Sequence, residues 1–214
     1  MNYVKLNESE TYSQLHQDLR AIQFYKYKNR GFFVEIGASD GKTLSNTYLL
    51  EKVYKWRGIC CEPIPNKYDE LKINRPNSIC VNKPVYNQTG LKITFDIAEE
   101  DLLSGISEHI DKHKETVDKN KKSVEMETIS LMDVLKEAKA PRYIEYLSLD
   151  TEGSEFEILK NFDFSKYVFG LIDIEHNYIE PRRSQIRDFL ISKEYVYVGA
   201  NQWDDTYRHY TVYF

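Results

Sequence analysis

Two rhythms of apolar and polar positions alternate along the chain. Short apolar, β-branched runs at 31–36, 58–61, 78–81, 144–149 and 168–174 have the composition of strands buried on both faces. Between them, apolar residues recur at helical spacing. The pattern predicts a helix over 43–54, and a short one beginning at Asn66, placed to cap it, and ending before Pro76. Three later helices carry stripes of Leu131, Val134, Leu135 and Ala138, of Phe156, Leu159 and Phe162, and of Ile186, Phe189 and Leu190. Ser130 stands as the cap of the first of these. An amphipathic helix over 8–28, with Tyr12, Leu15, Leu19 and Ile22 inward, precedes the first strand. Two aromatic-rich strands, 195–198 and 207–214, close the chain and lie near enough in sequence to require antiparallel pairing. Alternating β and α elements with a terminal hairpin predict an α/β domain spanning residues 1–214. Its seven-stranded, mostly parallel sheet should carry helices on both faces.

One region departs from this rhythm. A strand over 91–97 is expected to pair through the turn Asn87-Gln88-Thr89-Gly90. Residues 99–123 then mix both charge signs and carry little core, which predicts an insertion or lid. His109 and His113 within it share helical spacing, a pair that can hold a metal or simply face water.

Composition narrows the class. The 214 residues suffice for one substantial core, and 41% hydrophobic with 29% charged residues is ordinary for a globular domain. A net charge of −5 argues against a nucleic-acid partner, which wants a basic face. Cys60, Cys61 and Cys80 are odd in number and sit in apolar runs, so reduced thiols and a cytoplasmic location are expected. No apolar run is long enough to span a bilayer, and no signal-peptide core opens the chain.

The chemistry gathers where strands end. Gly37-Ala38-Ser39-Asp40-Gly41 follows the first strand and precedes a helix, so its small residues permit a sharp turn and close approach of a nucleotide-like ligand. The spacing is G-x-x-x-G behind Glu35, not the dinucleotide fingerprint. Glu62 ends the second strand about 20 residues beyond Gly41, the distance at which an acid meets a ribose hydroxyl pair. Asn82, at the end of the third strand, is a candidate contact for the base. After the fourth and fifth strands come Asp150-Thr151-Glu152-Gly153-Ser154-Glu155 and Glu175-His176-Asn177. Ligands of open α/β sheets bind beyond such carboxyl ends, although acids there also favour helix N-termini.

Taken together, Val34 to Gly41 with Ser45-Asn46-Thr47, Cys61-Glu62-Pro63, Leu147 to Glu155 and Ile174 to Asn177 resemble the FkbM-type methyltransferases, over about residues 31–180. The resemblance implies a Rossmann-like class I methyltransferase fold and S-adenosylmethionine as donor. It further implies transfer to a hydroxyl oxygen, often of a sugar or glycan. Glu35, Gly37, Ala38, Ser39, Asp40, Gly41, Asn46, Glu62 and Asn82 become the expected donor contacts. Asp150 and His176 are the candidate bases. Alternatively Asp150, Glu175 and His176 hold Mg²⁺ or Mn²⁺, to which vicinal hydroxyls would bind. Glu152 and Asn177 are expected to contact the acceptor.

Other readings stay open. A dehydrogenase would want a third glycine in the first loop. A nucleobase aminomethyltransferase would want Asn/Asp-Pro-Pro-aromatic where Asp150-Thr151-Glu152-Gly153 stands. A donor-binding module without catalysis, or an enzyme for a non-sugar small molecule, remains compatible. The chain could also be a module of a longer protein that includes a glycosyltransferase.

Overall fold

The computed structural model describes residues 11–99, 103–110 and 114–212. The first half runs α1 (Gln17–Phe24), β1 (Phe32–Ile36), α2 (Tyr48–Lys52), β2 (Arg57–Cys61), α3 (Pro65–Asn74), β3 (Ile79–Val81), β4 (Val85–Tyr86), β5 (Lys92–Ala98) and β6 (Gly105–Ile106). The second runs α4 (Lys114–Val117), β7 (Lys121–Glu127), β8 (Ile129–Ser130), α5 (Leu131–Glu137), β9 (Tyr143–Leu149), α6 (Glu155–Lys160), β10 (Val168–Glu175), α7 (Arg182–Ser192), β11 (Tyr195–Asn201) and β12 (Asp204–His209).

Seven strands form the central sheet in the order β11-β12-β10-β9-β1-β2-β3. Neighbours from β10 to β3 pair in parallel, and β12 is antiparallel to both β10 and β11. The winding reverses between β1 and β9, which places the switch point, and so the expected crevice, at their carboxyl ends. Side chains alternate across the sheet and feed two cores. Val34, Ile36, Leu147, Leu149, Ile172 and Ile174 pack against the face covered by α5, α6 and α7. Phe33, Tyr146 and Leu171 pack against the face covered by α1, α2 and α3. A smaller sheet, β6-β5-β7, and the pair β4-β8 sit beside these layers.

The seven-stranded sheet, its helices and the antiparallel closing strand match the expectation. Several boundaries do not. The first helix occupies only Gln17–Phe24 of the predicted 8–28; residues 1–10 lie outside the described set. His16 is left-handed, and buried Asp18 accepts from Thr11 Oγ1, Tyr12 N and Ser13 Oγ, folding the preceding segment back. The helix predicted over 43–54 shrinks to Tyr48–Lys52, because residues 45–47 turn inward to bond Glu35. Asn66 is not the cap of α3: Pro65 takes the first helical position, where its missing N–H and fixed φ suit the start. The turn 87–90 closes no hairpin, since β4 pairs β8 while β5 pairs β6 and β7. Within 99–123 the described residues include β6, α4 and the start of β7, whereas His113 lies outside them. The last strand begins at Asp204, three residues earlier than expected. Ser130 does cap α5, accepting from Asp133 N.

Candidate functional site

The glycine-rich loop leaves β1 under tight steric control. Gly37 has φ +84°, and a Cβ there would lie 2.0 Å from the carbonyl oxygen of Asp150, so only glycine lets the ends of β1 and β9 meet. The Gly37 and Ala38 N–H groups both donate to the Cys61 carbonyl, tying the loop to the end of β2. Glu62, next along, accepts from Ser39 N and Ile64 N, each at 2.8 Å. Two cavities open on either side of this junction and share Gly37, Ser39, Asp150 and Glu152.

The smaller cavity, about 90 Å³, adjoins Glu62 and has apolar walls from Ile64, Val85, Phe95 and Ile106. The larger, about 280 Å³, lies beyond β1, β9 and β10. Five carboxylates line it, from Asp150, Glu152, Asp173, Glu175 and Asp204. Four carboxamides join them, from Gln14, Gln17, Asn46 and Asn177, with the Trp203 indole beside them. Among the described residues, no lysine or arginine lines it.

This crowding governs ionisation. Asp150 opens into the cavity yet is hemmed in by its walls; loss of solvent, then the charges of Asp204 and Glu155, push its pKa up to about 7. Glu175 is lifted well above the carboxylate range by burial, then by Asp150, Glu152, Glu155 and Asp204. Asp150 and Glu175 therefore act as a pair that holds protons more tightly than isolated acids do. Asp204 rises to about 6, chiefly by burial, although the Gln17 amide donates to it at 2.6 Å.

The turn 150–155 is built around a fully buried carboxylate. Glu155 Oε1 accepts from Thr151 N and Oγ1, both 2.9 Å, and from Gly153 N at 3.1 Å. A Cβ on Gly153 would lie 2.1 Å from the His109 carbonyl, so residues of the predicted insertion pack directly on this turn. Asp150, Glu155 and Glu175 can each offer one oxygen within 4.8 Å of the others.

The residues expected from sequence divide clearly. Gly37, Ala38, Ser39, Asn46, Asp150, Glu152, Glu175 and Asn177 line the larger cavity, and Glu62 the smaller. Glu35 does not. Its carboxylate is buried and accepts from Ser45 Oγ, Asn46 N and Thr47 Oγ1, so it braces the loop from behind. Asp40 also turns inward on its own loop, accepting from Lys42 N, Thr43 N and Thr43 Oγ1. Gly41 closes that turn by donating to Ala38 O. Asn82 donates to the carbonyls of Glu62 and Pro63, securing the strand end rather than lining a cavity.

His176 is the chief correction. The period of two along β10 puts Asp173 and Glu175 on the cavity face and sends His176 to the opposite face with Ile172 and Ile174. Its Nδ1 accepts from Tyr178 N, and its Nε2 stands 3.5 Å from Asp205 Oδ1. Asp205 also pairs with Arg183 and Arg187. Burial alone would raise Asp205, but His176 and these arginines hold it well below the usual carboxylate range. His176 is therefore neither a cavity base nor a member of the converging carboxylates, where Glu155 stands instead. His109, the described half of the histidine pair, meets Tyr86 Oη at 2.6 Å.

Sequence reasoning missed Asp173, Asp204, Gln14, Gln17 and Trp203 on the larger cavity and Phe95 and Ile106 on the smaller. Asp173 carried a signal, an acid inside an otherwise apolar strand. The others reach the site only through the tertiary fold.

The methyltransferase FkbM domain matches residues 35–198. The chain belongs to the FkbM methyltransferase family. Solved structures agree on the fold. A METTL16 MTase domain superposes with TM-score 0.53 at 10% identity, covering 92% of this chain and 67% of that one. A human methyltransferase 10 domain containing protein gives 0.51 at 11%, covering 97% and 88%. At such identities the likeness shows a Rossmann-like methyltransferase fold and nothing finer. No curated protein matches the chain. No helix among the described residues is long and apolar enough to cross a membrane.

Proposed function

We propose that this FkbM-family domain transfers the methyl group of S-adenosylmethionine to a hydroxyl oxygen of a neutral, polyhydroxylated acceptor, a sugar or glycan. The observation that carries this reading is the lining of the larger cavity: five carboxylates and four carboxamides with no lysine or arginine among the described residues. Hydroxyl groups donate to such a surface, whereas a phosphodiester backbone or another anion would be repelled. Trp203 offers an apolar face beside these polar groups, as small-ligand sites commonly do.

The residues fit the donor. The Gly37–Ser39 turn permits close approach of a ligand, and Glu62 adjoins a cavity with apolar walls from Ile64, Phe95 and Ile106, the surroundings a base would need. Glu62, at the end of β2 and fixed by Ser39 N and Ile64 N, is the acid we assign to the ribose hydroxyls. When bound, the donor supplies an electrophilic methyl on a sulfonium. The chain supplies alignment, which accounts for much of the rate in such a displacement. Asp150, with its pKa near neutrality, takes the hydroxyl proton as oxygen attacks, and Glu175 tunes it by sharing charge. Glu152 and Asn177 orient the acceptor from the same wall.

A second reading keeps the same acceptor but adds Mg²⁺ or Mn²⁺, favoured by the convergence of Asp150, Glu155 and Glu175. The three cysteines are all free thiols, in keeping with a reducing, cytoplasmic setting. The test is transfer of radiolabelled methyl to neutral glycans, amino sugars and sugar phosphates, with and without chelator. Label on neutral sugars, insensitive to chelator, is expected. Loss with chelator and recovery with Mg²⁺ or Mn²⁺ would favour the metal. Intact S-adenosylhomocysteine binding with no transfer to any acceptor would leave a binding module.

A further inference from the structure

Outside both cavities, one cation among the described residues is completely enclosed in the protein. Arg75, at the C-terminal end of α3, has no exposed surface. Its guanidinium lies 5.0 Å from the centre of the Phe33 ring and is surrounded by acceptors. Nε donates to Glu51 at 2.7 Å, and Nη2 to Thr47 Oγ1 at 2.8 Å. Nη1 reaches the Gly41 carbonyl at 3.1 Å, Ser45 Oγ at 3.2 Å and Glu35 Oε2 at 3.3 Å.

These partners are not scattered. Gly41 ends the glycine-rich turn, Ser45 and Thr47 end the loop before α2, and Glu35 is the acid directly ahead of that turn. The cavity-lining segment, from Gly37 through Asn46, is thus held by one side chain in its middle, at Gly41, and at its far end, at Ser45 and Thr47. Glu35 completes the clamp by accepting Asn46 N at 2.7 Å, and Asn46 in turn donates to Ser148 Oγ at 2.9 Å on the cavity wall. Burying a guanidinium is unfavourable unless its donors and charge are matched, and here both are. A planar fork is also required: a lysine ammonium is a point charge and cannot span Glu51, Gly41 and Thr47 together.

We infer that Arg75 is a positioning residue for the donor site, fixing the 37–47 loop in its binding geometry without touching the ligand. This rests on the donor assignment above. The ordering of the loop is then supplied before binding, which is where preorganisation raises affinity.

The test uses Arg75→Lys, which keeps the charge, and the near-isosteric Thr47→Val, which removes one partner. Calorimetry with S-adenosylhomocysteine should show affinity lowered roughly 10–100-fold in Arg75→Lys and about 3–10-fold in Thr47→Val. Turnover at saturating donor and acceptor should fall less than donor affinity does, since Asp150 and Glu175 stand on the other wall and keep their places. Hydrogen exchange at residues 37–47 should quicken in both variants. A folded Arg75→Lys that binds like wild type would overturn the inference, and if that variant does not fold, wild-type affinity in Thr47→Val does the same. Absence of binding by the wild type would instead remove the donor assignment. Exchange at 37–47 then decides the bracing role alone: unchanged rates in the variants refute it.

Discussion

The two sides of the cavity treat charge in opposite ways. Behind the glycine-rich loop, Glu35 and Glu51 face a buried arginine, and their oxygens are met by hydroxyl and backbone donors. Across the cavity, Asp150, Glu175 and Asp204 crowd one another, and their pKa values rise even though Arg20, paired with Asp173 behind the wall, partly offsets Asp204. Satisfied charge fixes geometry, whereas frustrated charge stores proton affinity. The first suits a wall that must hold a ligand in register; the second suits groups that must exchange a proton near neutral pH.

The sharpest break in this contrast is Asp150→Asn, which keeps shape and removes the base. Turnover should fall roughly 10²–10⁴-fold while S-adenosylhomocysteine affinity changes less than about threefold. A variant with wild-type turnover would move the chemistry elsewhere. On the braced side, Glu62→Ala should do the reverse. Donor affinity should weaken about tenfold or more by calorimetry, as expected for losing a charge-assisted partner worth roughly 1.5–3 kcal/mol, with turnover at saturation little altered.

That asymmetry also explains what the sequence could reveal. The sheet was legible because its strands are continuous apolar runs, and the crevice at the end of β1 because its small residues and the acid after β2 stand at recognisable strand ends. The larger cavity was legible only in part. Asp150 and Glu175 stand at ends of recognisable strands, but Asp204, Asp205 and Thr206 are polar and read as loop, although they open β12 and are buried there. Gln17 reaches Asp204 across a sequence separation of 187 residues, which no local pattern encodes. Face assignment was the other loss. A one-residue step along β10 separates Glu175 from His176, and periodicity without a register cannot tell which looks into the cavity.

A titration sharpens the comparison further. As base, Asp150 must be ionised, so kcat/KM should rise with pH through an apparent pKa near 7 that belongs to the Asp150–Glu175 pair. Glu175→Gln removes a neighbouring negative charge and should shift that rise to lower pH. Stability should move the other way. A carboxyl whose folded pKa lies above its unfolded value of 3.8 binds more protons when folded, so stability falls as pH climbs from about 4 to about 7 and then levels. Asp150→Asn, which cannot ionise, should flatten that decline in thermal melts. An unchanged decline would mean that the pair's proton affinity is not what sets it.

The smallest catalytic effect is expected at His176, one of the two candidate bases that the sequence suggested. His176 lies on the α7 side of the sheet, where it accepts from Tyr178 N and faces Asp205 within a cluster that includes Arg183 and Arg187. Removing a buried imidazole from such a cluster leaves a cavity and weakens Asp205's surroundings, a loss of roughly 1–3 kcal/mol in unfolding free energy. Turnover of His176→Ala, measured below its lowered melting point, should stay within about threefold of wild type, and its pH profile should keep the same apparent pKa. A fall of 10²-fold or more with the fold intact, together with loss of the pH-dependent limb, would return the histidine to the reacting centre. Its position argues otherwise, because the buried His176 ring stands against Asp205, away from the cavity lined by its neighbours Glu175 and Asn177.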